Sequence, residues 1–119
     1  MSKKILVVDD DKGQVSMYDS MLSQRGYQVM TAYDGEQAID KVGRVRPDLI
    51  IMDVQMPKMD GDAAYMTLKA DEKTKSIPVL IVTGLRTEEE LAQTKEPDTF
   101  AKPVKFECLL ERIRQLIGD

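Results

Sequence analysis

Short apolar runs that each end abruptly in a polar side chain constrain the fold of this chain more than any other feature. The run at residues 49–52 is long enough for a buried strand, and it ends at Asp53, before a loop that contains Pro57 and Gly61. Asp53 is therefore expected where a strand opens to solvent. Three further runs end in the same way, at Asp9 and Asp10, at Thr83, and at Lys102.

Strand and helix patterns alternate along the whole chain. Continuous or β-branched apolar segments predict strands, and apolar residues at three- and four-residue spacing predict helices. The predicted strands are 3–8, 27–32, 49–52, 79–82 and 98–101. The predicted helices are 12–25, a segment between an N-cap at Asp34 and a stop at Arg46, then 61–70, 87–95 and 105–117. This alternation predicts βαβ units, and hence an α/β fold with a parallel sheet covered by helices on both sides.

Length and composition exclude several classes of protein. With 119 residues, the chain is expected to form one domain, residues 1–119, without an output domain. The net charge of −4 argues against direct binding of nucleic acid. The apolar runs are too short to span a membrane, and no leader pattern precedes Ile5, so we expect a soluble, cytoplasmic protein. The lone Cys108 cannot form an internal disulfide and is expected to be partly buried.

Three carboxylates are predicted to meet at the carboxyl edge of the sheet. If the first and third strands are neighbours, Asp9, Asp10 and Asp53 lie together, at the place where open α/β sheets bind ligands. Two like charges about 4 Å apart cost about 4 kcal/mol at an effective dielectric constant of about 20, so the cluster needs a cation or a raised pKa. Mg²⁺ fits this need because it accepts one or two carboxylates and keeps positions for water and phosphate oxygens. Asp11 is interpreted more simply, as the cap of the first helix.

Lys102 and Thr83 add an ammonium and a hydroxyl to the same edge. Taken singly, each is as well explained as an ordinary surface lysine or a turn residue. Together with the acidic cluster they are suited to phosphoryl transfer, in which cations neutralise the charge on the phosphoryl oxygens. The chain has no histidine, so the nucleophile is expected to be a carboxylate. Asp53 is the best candidate because it stands alone at the end of the central strand, where it would form an aspartyl phosphate.

These motifs resemble the receiver domain of the two-component response regulators. The segments VVDDD, LIIMDVQMPKMDG, VTG and AKP occur in the order of that family and at nearly its spacing. The resemblance covers essentially the whole chain. It implies a flavodoxin-like (βα)5 doubly wound parallel sheet with strand order 2-1-3-4-5.

The same resemblance implies a role for each site residue. Asp53 would be the phosphoacceptor, Asp9 and Asp10 the acidic pair, Thr83 the switch hydroxyl and Lys102 the lysine that pairs with the phosphate.

Resemblance to the family also implies a metal site. Mg²⁺ would be held by the side chains of Asp10 and Asp53 and by the backbone carbonyl of Gln55, with Asp9 reaching the ion mainly through water.

Partners are implied in the same way. A histidine kinase or phosphotransfer protein would supply the phosphoryl group, and the face built from the fourth strand to the fifth helix would contact a downstream protein whose identity the sequence does not reveal. The chain would be a phosphoacceptor signalling protein that assists its own phosphorylation and dephosphorylation, rather than an enzyme acting on other substrates.

One departure from the family pattern keeps a second hypothesis open. Receivers usually carry an aromatic residue three positions before the lysine, and this chain has Thr99 there. The nearest aromatic residue, Phe100, has the opposite strand parity and is expected to face the other way. The alternative is therefore an interaction module that signals without phosphorylation. A flavodoxin-like cofactor carrier or a small phosphatase is less well supported, because no glycine-rich phosphate loop follows the first strand.

Overall fold

The computed structural model describes residues 3–53, 61–84 and 98–118, which form a five-stranded sheet with helices on both faces. The strands are β1 (Lys4–Val8), β2 (Gln28–Ala32), β3 (Leu49–Asp53), β4 (Val79–Thr83) and β5 (Asp98–Ala101). The helices are α1 (Lys12–Ser23), α2 (Gly35–Val45), α3 (Gly61–Ala70) and α4 (Phe106–Ile117). The helix predicted over 87–95 lies outside the described residues, so α4 corresponds to the fifth predicted helix.

All neighbouring strands are parallel, and their order across the sheet is β2-β1-β3-β4-β5. The predicted flavodoxin-like doubly wound sheet and its strand order are therefore confirmed. Placing β3 between β1 and β4 makes it the central strand, and every one of its five residues is buried. The carboxyl ends of all five strands consequently meet along one edge.

Alternate side chains of the strands enter two separate apolar cores, one on each face of the sheet. The first core, on the side of α1 and α4, contains Ile5, Val7, Val15, Tyr18, Leu22, Tyr27, Leu49, Ile51, Leu80, Val82, Leu109, Leu110 and Ile113. The second core, on the side of α2 and α3, contains Leu6, Val8, Ala32, Ala38, Val42, Ile50, Met52, Ala64, Leu68, Val79 and Ile81. This division explains why the central strands are continuously apolar: both of their faces are covered.

The caps of two helices agree with the sequence. Asp11 accepts hydrogen bonds from the backbone N–H groups of Gly13 and Gln14, which confirms its role as the N-cap of α1. Asp34 caps α2 by accepting from the N–H of Gln37 at 2.8 Å. The start of α1 is thereby fixed immediately beside the acidic residues that follow β1.

Two details of the surface differ from prediction. Helix α1 ends at Ser23 rather than at Arg25, because the chain turns out of the helix before Gly26, which has a φ of 90°. Cys108 is exposed rather than partly buried, since the buried stripe of α4 is formed by Leu109 and its neighbours on the opposite side of the helix.

Candidate functional site

The parallel strands bring four predicted site residues to one edge of the sheet. Asp53 is the last residue of β3 and Thr83 the last of β4, while Asp9 directly follows β1 and Lys102 directly follows β5. Hydrogen bonding between strands continues past the strand ends. The N–H of Lys102 donates to the carbonyl of Thr83 at 2.8 Å, and the N–H of Asp9 donates to the carbonyl of Ala32 at 3.1 Å. The backbone therefore holds these residues side by side.

Asp9, Asp10 and Asp53 form the predicted acidic cluster. One carboxylate oxygen from each lies within 4.8 Å of the others. Asp9 and Asp53 are buried, with 3% and 6% of their surface exposed, whereas Asp10 is exposed. The expectation that Asp53 opens to solvent is therefore wrong for its side chain, because neighbouring groups cover it. At the upper limit of 4.8 Å, two such negative charges repel by about 3.5 kcal/mol at an effective dielectric constant of about 20.

Lys102 places an ammonium against the two buried carboxylates. Its Nζ donates a hydrogen bond to Asp53 Oδ2 at 3.0 Å and lies 3.6 Å from Asp9 Oδ2. The contact with Asp9 is an ion pair that is too long for a hydrogen bond. The peptide bond between Lys102 and Pro103 is cis. Among the residues that the structure describes, Lys102 is the cation paired with Asp9 and Asp53, and these pair with it as two carboxylates to one ammonium.

The pKa shifts follow from this crowding. Burial is the main cause that raises the pKa of Asp9, and the charges of Asp53 and Asp10 add to it, while the N–H of Asp11 and the ammonium of Lys102 oppose it. Burial alone would lower the pKa of Lys102, but its hydrogen bond to Asp53 and the charges of Asp9 and Asp53 outweigh that effect and raise the pKa. Lys102 therefore stays charged at neutral pH.

Thr83 is placed as predicted, and Gln55 lies outside the described residues. Thr83 is buried, with 2% of its surface exposed, and its carbonyl is tied to the backbone of Lys102. Its position at the end of β4 next to β3 agrees with a hydroxyl near Asp53, and its role as a switch stays a prediction. The backbone carbonyl predicted as a metal ligand at Gln55 likewise stays a prediction.

Thr99 and Phe100 face opposite sides of the sheet, as their parity predicted. Phe100 is paired in register with Val82 and packs against the first core. Thr99 is paired with Ile81, whose side chain belongs to the second core. Phe100 therefore does not replace the aromatic residue that receivers usually carry three positions before the lysine, where this chain has Thr99.

Tyr18 lies in the first helix, at a position that the apolar periodicity of the sequence marks only as part of the helix's buried face. Its ring is indeed buried in the first core, with 2% of its surface exposed. Its hydroxyl oxygen is also buried, and within the described part of the chain it has no hydrogen-bond partner. Burial raises its pKa to about 12, and the charges of Asp9 and Asp53 contribute to the shift. In the sequence, the feature that could have pointed to Tyr18 is a tyrosine at a buried position of the helix that begins at the acidic cluster.

The donor set fits a hard divalent cation. Three carboxylates are present, and two of them are held rigidly at strand ends in a buried setting, where their mutual repulsion favours binding of a cation. Oxygen ligands of this kind suit Mg²⁺. Within the described residues, the ammonium of Lys102 is outnumbered by the three carboxylates of the cluster, which is compatible with a bound divalent cation.

A parallel sheet of this order, with an acidic cluster and a lysine at its carboxyl edge, defines a receiver-type signalling domain. Residues 5–114 match the family model described as the response regulator receiver domain. The chain therefore belongs to the response regulator receiver family, and its class is that of a signalling domain of two-component systems.

Similar proteins place the chain more closely within this family. It is 30% identical to the polar-differentiation response regulator DivK of Brucella anthropi over 100% of this chain and 99% of that protein. It is 39% identical to the response regulator PleD of Caulobacter vibrioides over 98% of this chain, but it spans only 26% of that longer protein.

A solved structure supports the same comparison. The receiver domain of the sensor histidine kinase PA1611 of Pseudomonas aeruginosa is 31% identical, with a TM-score of 0.85 and coverage of 100% of both chains. That structure has a magnesium ion coordinated in its active site cleft. In the part of the present chain that the structure describes, no helix has the length and apolar character needed to cross a bilayer.

Proposed function

We propose that the chain is a cytoplasmic receiver that accepts a phosphoryl group on Asp53 from a histidine kinase or a phosphotransfer protein. The observation that carries this proposal is the position of Asp53. It ends the central strand, lies within 4.8 Å of two further carboxylates and accepts a hydrogen bond from Lys102 at 3.0 Å. A carboxylate in such a setting can form a covalent phosphoryl intermediate.

The chain's own residues divide the work of the transfer. A carboxylate oxygen of Asp53 attacks phosphorus, and the bond between phosphorus and the donor's histidine nitrogen breaks. Lys102 offsets negative charge on the phosphoryl oxygens. A positioned cation accelerates phosphoryl transfer mainly in this way, by stabilising the charge of the transition state. Thr83, buried at the end of the neighbouring strand, would donate its hydroxyl to a phosphoryl oxygen.

Magnesium would be held by Asp10, Asp53 and the backbone carbonyl of Gln55, with Asp9 acting through water. The ion would supply further neutralisation of charge at the phosphoryl group. Repulsion within the acidic cluster supports this assignment, because it is relieved when a divalent cation binds.

Chemical phosphorylation tests the proposal directly. Acetyl phosphate with Mg²⁺ should give a labile adduct of one phosphoryl group per chain, measured by intact-protein mass spectrometry at neutral pH. Omission of Mg²⁺, or the substitution Asp53→Asn, should abolish the adduct. Asp40→Asn is the matched control, because Asp40 is an exposed aspartate on α2 paired with Arg44. An adduct of unchanged yield in Asp53→Asn would refute the site.

Output would pass through the surface that β4, β5 and α4 share with the segment predicted as a helix over 87–95. The phosphoryl group carries a charge of about −1.5 to −2, in place of the single negative charge of the free Asp53 carboxylate. Lys102 joins this charge to β5, because its backbone directly continues that strand. The partner would be a downstream protein bound by contact.

A second function, binding that does not depend on phosphorylation, is favoured by one observation. Thr99 stands where the family has an aromatic residue, and Phe100 packs on the other face of the sheet. Affinity capture of partners with and without beryllofluoride, a phosphoryl mimic, separates the two hypotheses. An unchanged set of partners and unchanged affinities would favour the phosphorylation-independent module.

A further inference from the structure

The hydroxyl of Tyr18 is a buried polar group. The ring packs in the first core, and the oxygen has no hydrogen-bond partner among the residues that the structure describes. An unpaired hydroxyl in a protein interior is unfavourable, and phenylalanine would fill the same space without this cost. A tyrosine at this position therefore carries a donor that is available to a new acceptor.

Tyr18 lies on α1, the helix that directly follows the acidic residues after β1. Helix α1 begins at the carboxyl edge of the sheet, and helical side chains lean toward the beginning of their helix, so the phenol points toward that edge. A cavity of about 430 Å³ is lined by Tyr18 together with Lys102 and Pro103. The charges of Asp9 and Asp53 act on the phenol strongly enough to contribute to its raised pKa, and Asp9 has the larger effect of the two.

Asp9 is the carboxylate that could accept a hydrogen bond from Tyr18. Its Oδ1 accepts from the N–H of Asp11 at 2.9 Å. Its Oδ2 faces the ammonium of Lys102 at 3.6 Å, whereas the same ammonium is hydrogen-bonded to Asp53 at 3.0 Å. If a phosphoryl group on Asp53 offers Lys102 stronger acceptors and draws the ammonium away, Asp9 Oδ2 loses its direct contact with Lys102.

We propose that Tyr18 is a positioning residue whose hydroxyl donates to the Asp9 carboxylate when a phosphoryl group occupies Asp53. The bond replaces the contact that Lys102 gives up, and it ties α1 to the occupied site. This inference rests on the proposed phosphorylation of Asp53. It adds to that proposal a residue of the first helix that stabilises the phosphorylated state specifically.

The test compares Tyr18→Phe with the unmodified protein in two measurements. In the metal-free state, urea unfolding should show that the variant is at least as stable, because the hydroxyl has no bond to lose. At saturating Mg²⁺, calorimetric titration with beryllofluoride should show about tenfold weaker binding to the variant, which corresponds to about 1.4 kcal/mol.

Tyr27→Phe is the matched control. Tyr27 is buried in the same core, and its hydroxyl donates to the carbonyl of Gly118 at 2.9 Å. Loss of that bond should lower stability in urea and leave the affinity for beryllofluoride unchanged. This pattern is the reverse of that expected for Tyr18→Phe, so a general effect of removing a buried hydroxyl is distinguished from the proposed role.

The outcomes are separable. Equal affinity of Tyr18→Phe and the unmodified protein for beryllofluoride would overturn the role of Tyr18 and leave the proposed phosphorylation intact. A destabilised metal-free variant would also overturn it, because the hydroxyl would then already have a partner. Failure of the unmodified protein to bind beryllofluoride with Mg²⁺ would overturn the proposed function, and the inference with it.

Discussion

Replacement of Asp10 by asparagine should stabilise the metal-free protein, although it removes a predicted magnesium ligand. A carboxylate oxygen of Asp10 lies within 4.8 Å of oxygens of Asp9 and Asp53. Each of these like-charge pairs costs between about 0.9 kcal/mol in a water-like dielectric and about 3.5 kcal/mol at an effective dielectric constant of about 20. Because Asp10 is exposed, the lower end of this range applies. We therefore expect Asp10→Asn to gain about 1 to 2 kcal/mol at low ionic strength.

Urea unfolding with a chelator and with excess Mg²⁺ measures this effect. With a slope of about 2 kcal/mol per molar urea, the midpoint of the metal-free variant should rise by about 0.5 to 1 M. Mg²⁺ should stabilise the unmodified protein by about 2.7 kcal/mol at one hundred times its dissociation constant, and should stabilise the variant far less. Addition of Mg²⁺ should therefore cancel or reverse the difference in stability between the variant and the unmodified protein.

Glu111→Gln is the control for this experiment, because Glu111 is an exposed acidic residue on α4 and its substitution removes the same charge. Its midpoint should change little in either condition. The electrostatic account would be refuted if Asp10→Asn were no more stable than the unmodified protein in chelator at low salt. Equal stabilisation of both proteins by Mg²⁺ would refute Asp10 as a metal ligand.

Three further predictions follow from the same contacts. Lys102→Met should lower metal-free stability by about 2 to 3 kcal/mol at pH 7, because it removes the ammonium that contacts the buried carboxylates of Asp9 and Asp53. In urea unfolding, that loss should become smaller toward pH 4. The pKa of Asp9 is raised in the folded state, so its charged form lowers the stability at higher pH, and protonation removes this cost. Because folding raises the pKa of Tyr18 to about 12, stability should fall between about pH 10 and pH 12 by up to about 1.4 kcal/mol per pH unit, and Tyr18→Phe should remove this slope in urea midpoints measured across that range. Asp34→Ala should cost about 1 kcal/mol by removing the cap of α2, whereas Asp34→Ser should retain most of that stability in thermal unfolding.

The sheet could be predicted from the sequence because its strands are buried on both faces. Residues 49–52 are continuously apolar, and this pattern has few explanations in a short chain other than a central parallel strand. The same reasoning located Asp9, Asp53, Thr83 and Lys102, since the ends of parallel strands must share one edge. Strand direction is encoded in the alternation of strands with helices, whereas the strand order, which brings Asp9 next to Asp53, was implied only by the resemblance to the receiver family.

The environment of each site residue could not be predicted in the same way, because burial and pairing depend on side chains distant in sequence. Asp53 was expected at an opening to solvent, yet it is 6% exposed and is covered in part by Lys102, which lies 49 positions away. The apolar period of α1 selects Tyr18 for its ring, and a hydrophobic pattern assigns no value to a hydroxyl. Whether that hydroxyl has a partner depends on the distances between α1 and the ends of the strands. Periodicity therefore identifies which residues reach the site, whereas three-dimensional packing decides which of their polar atoms are paired before a phosphoryl group arrives.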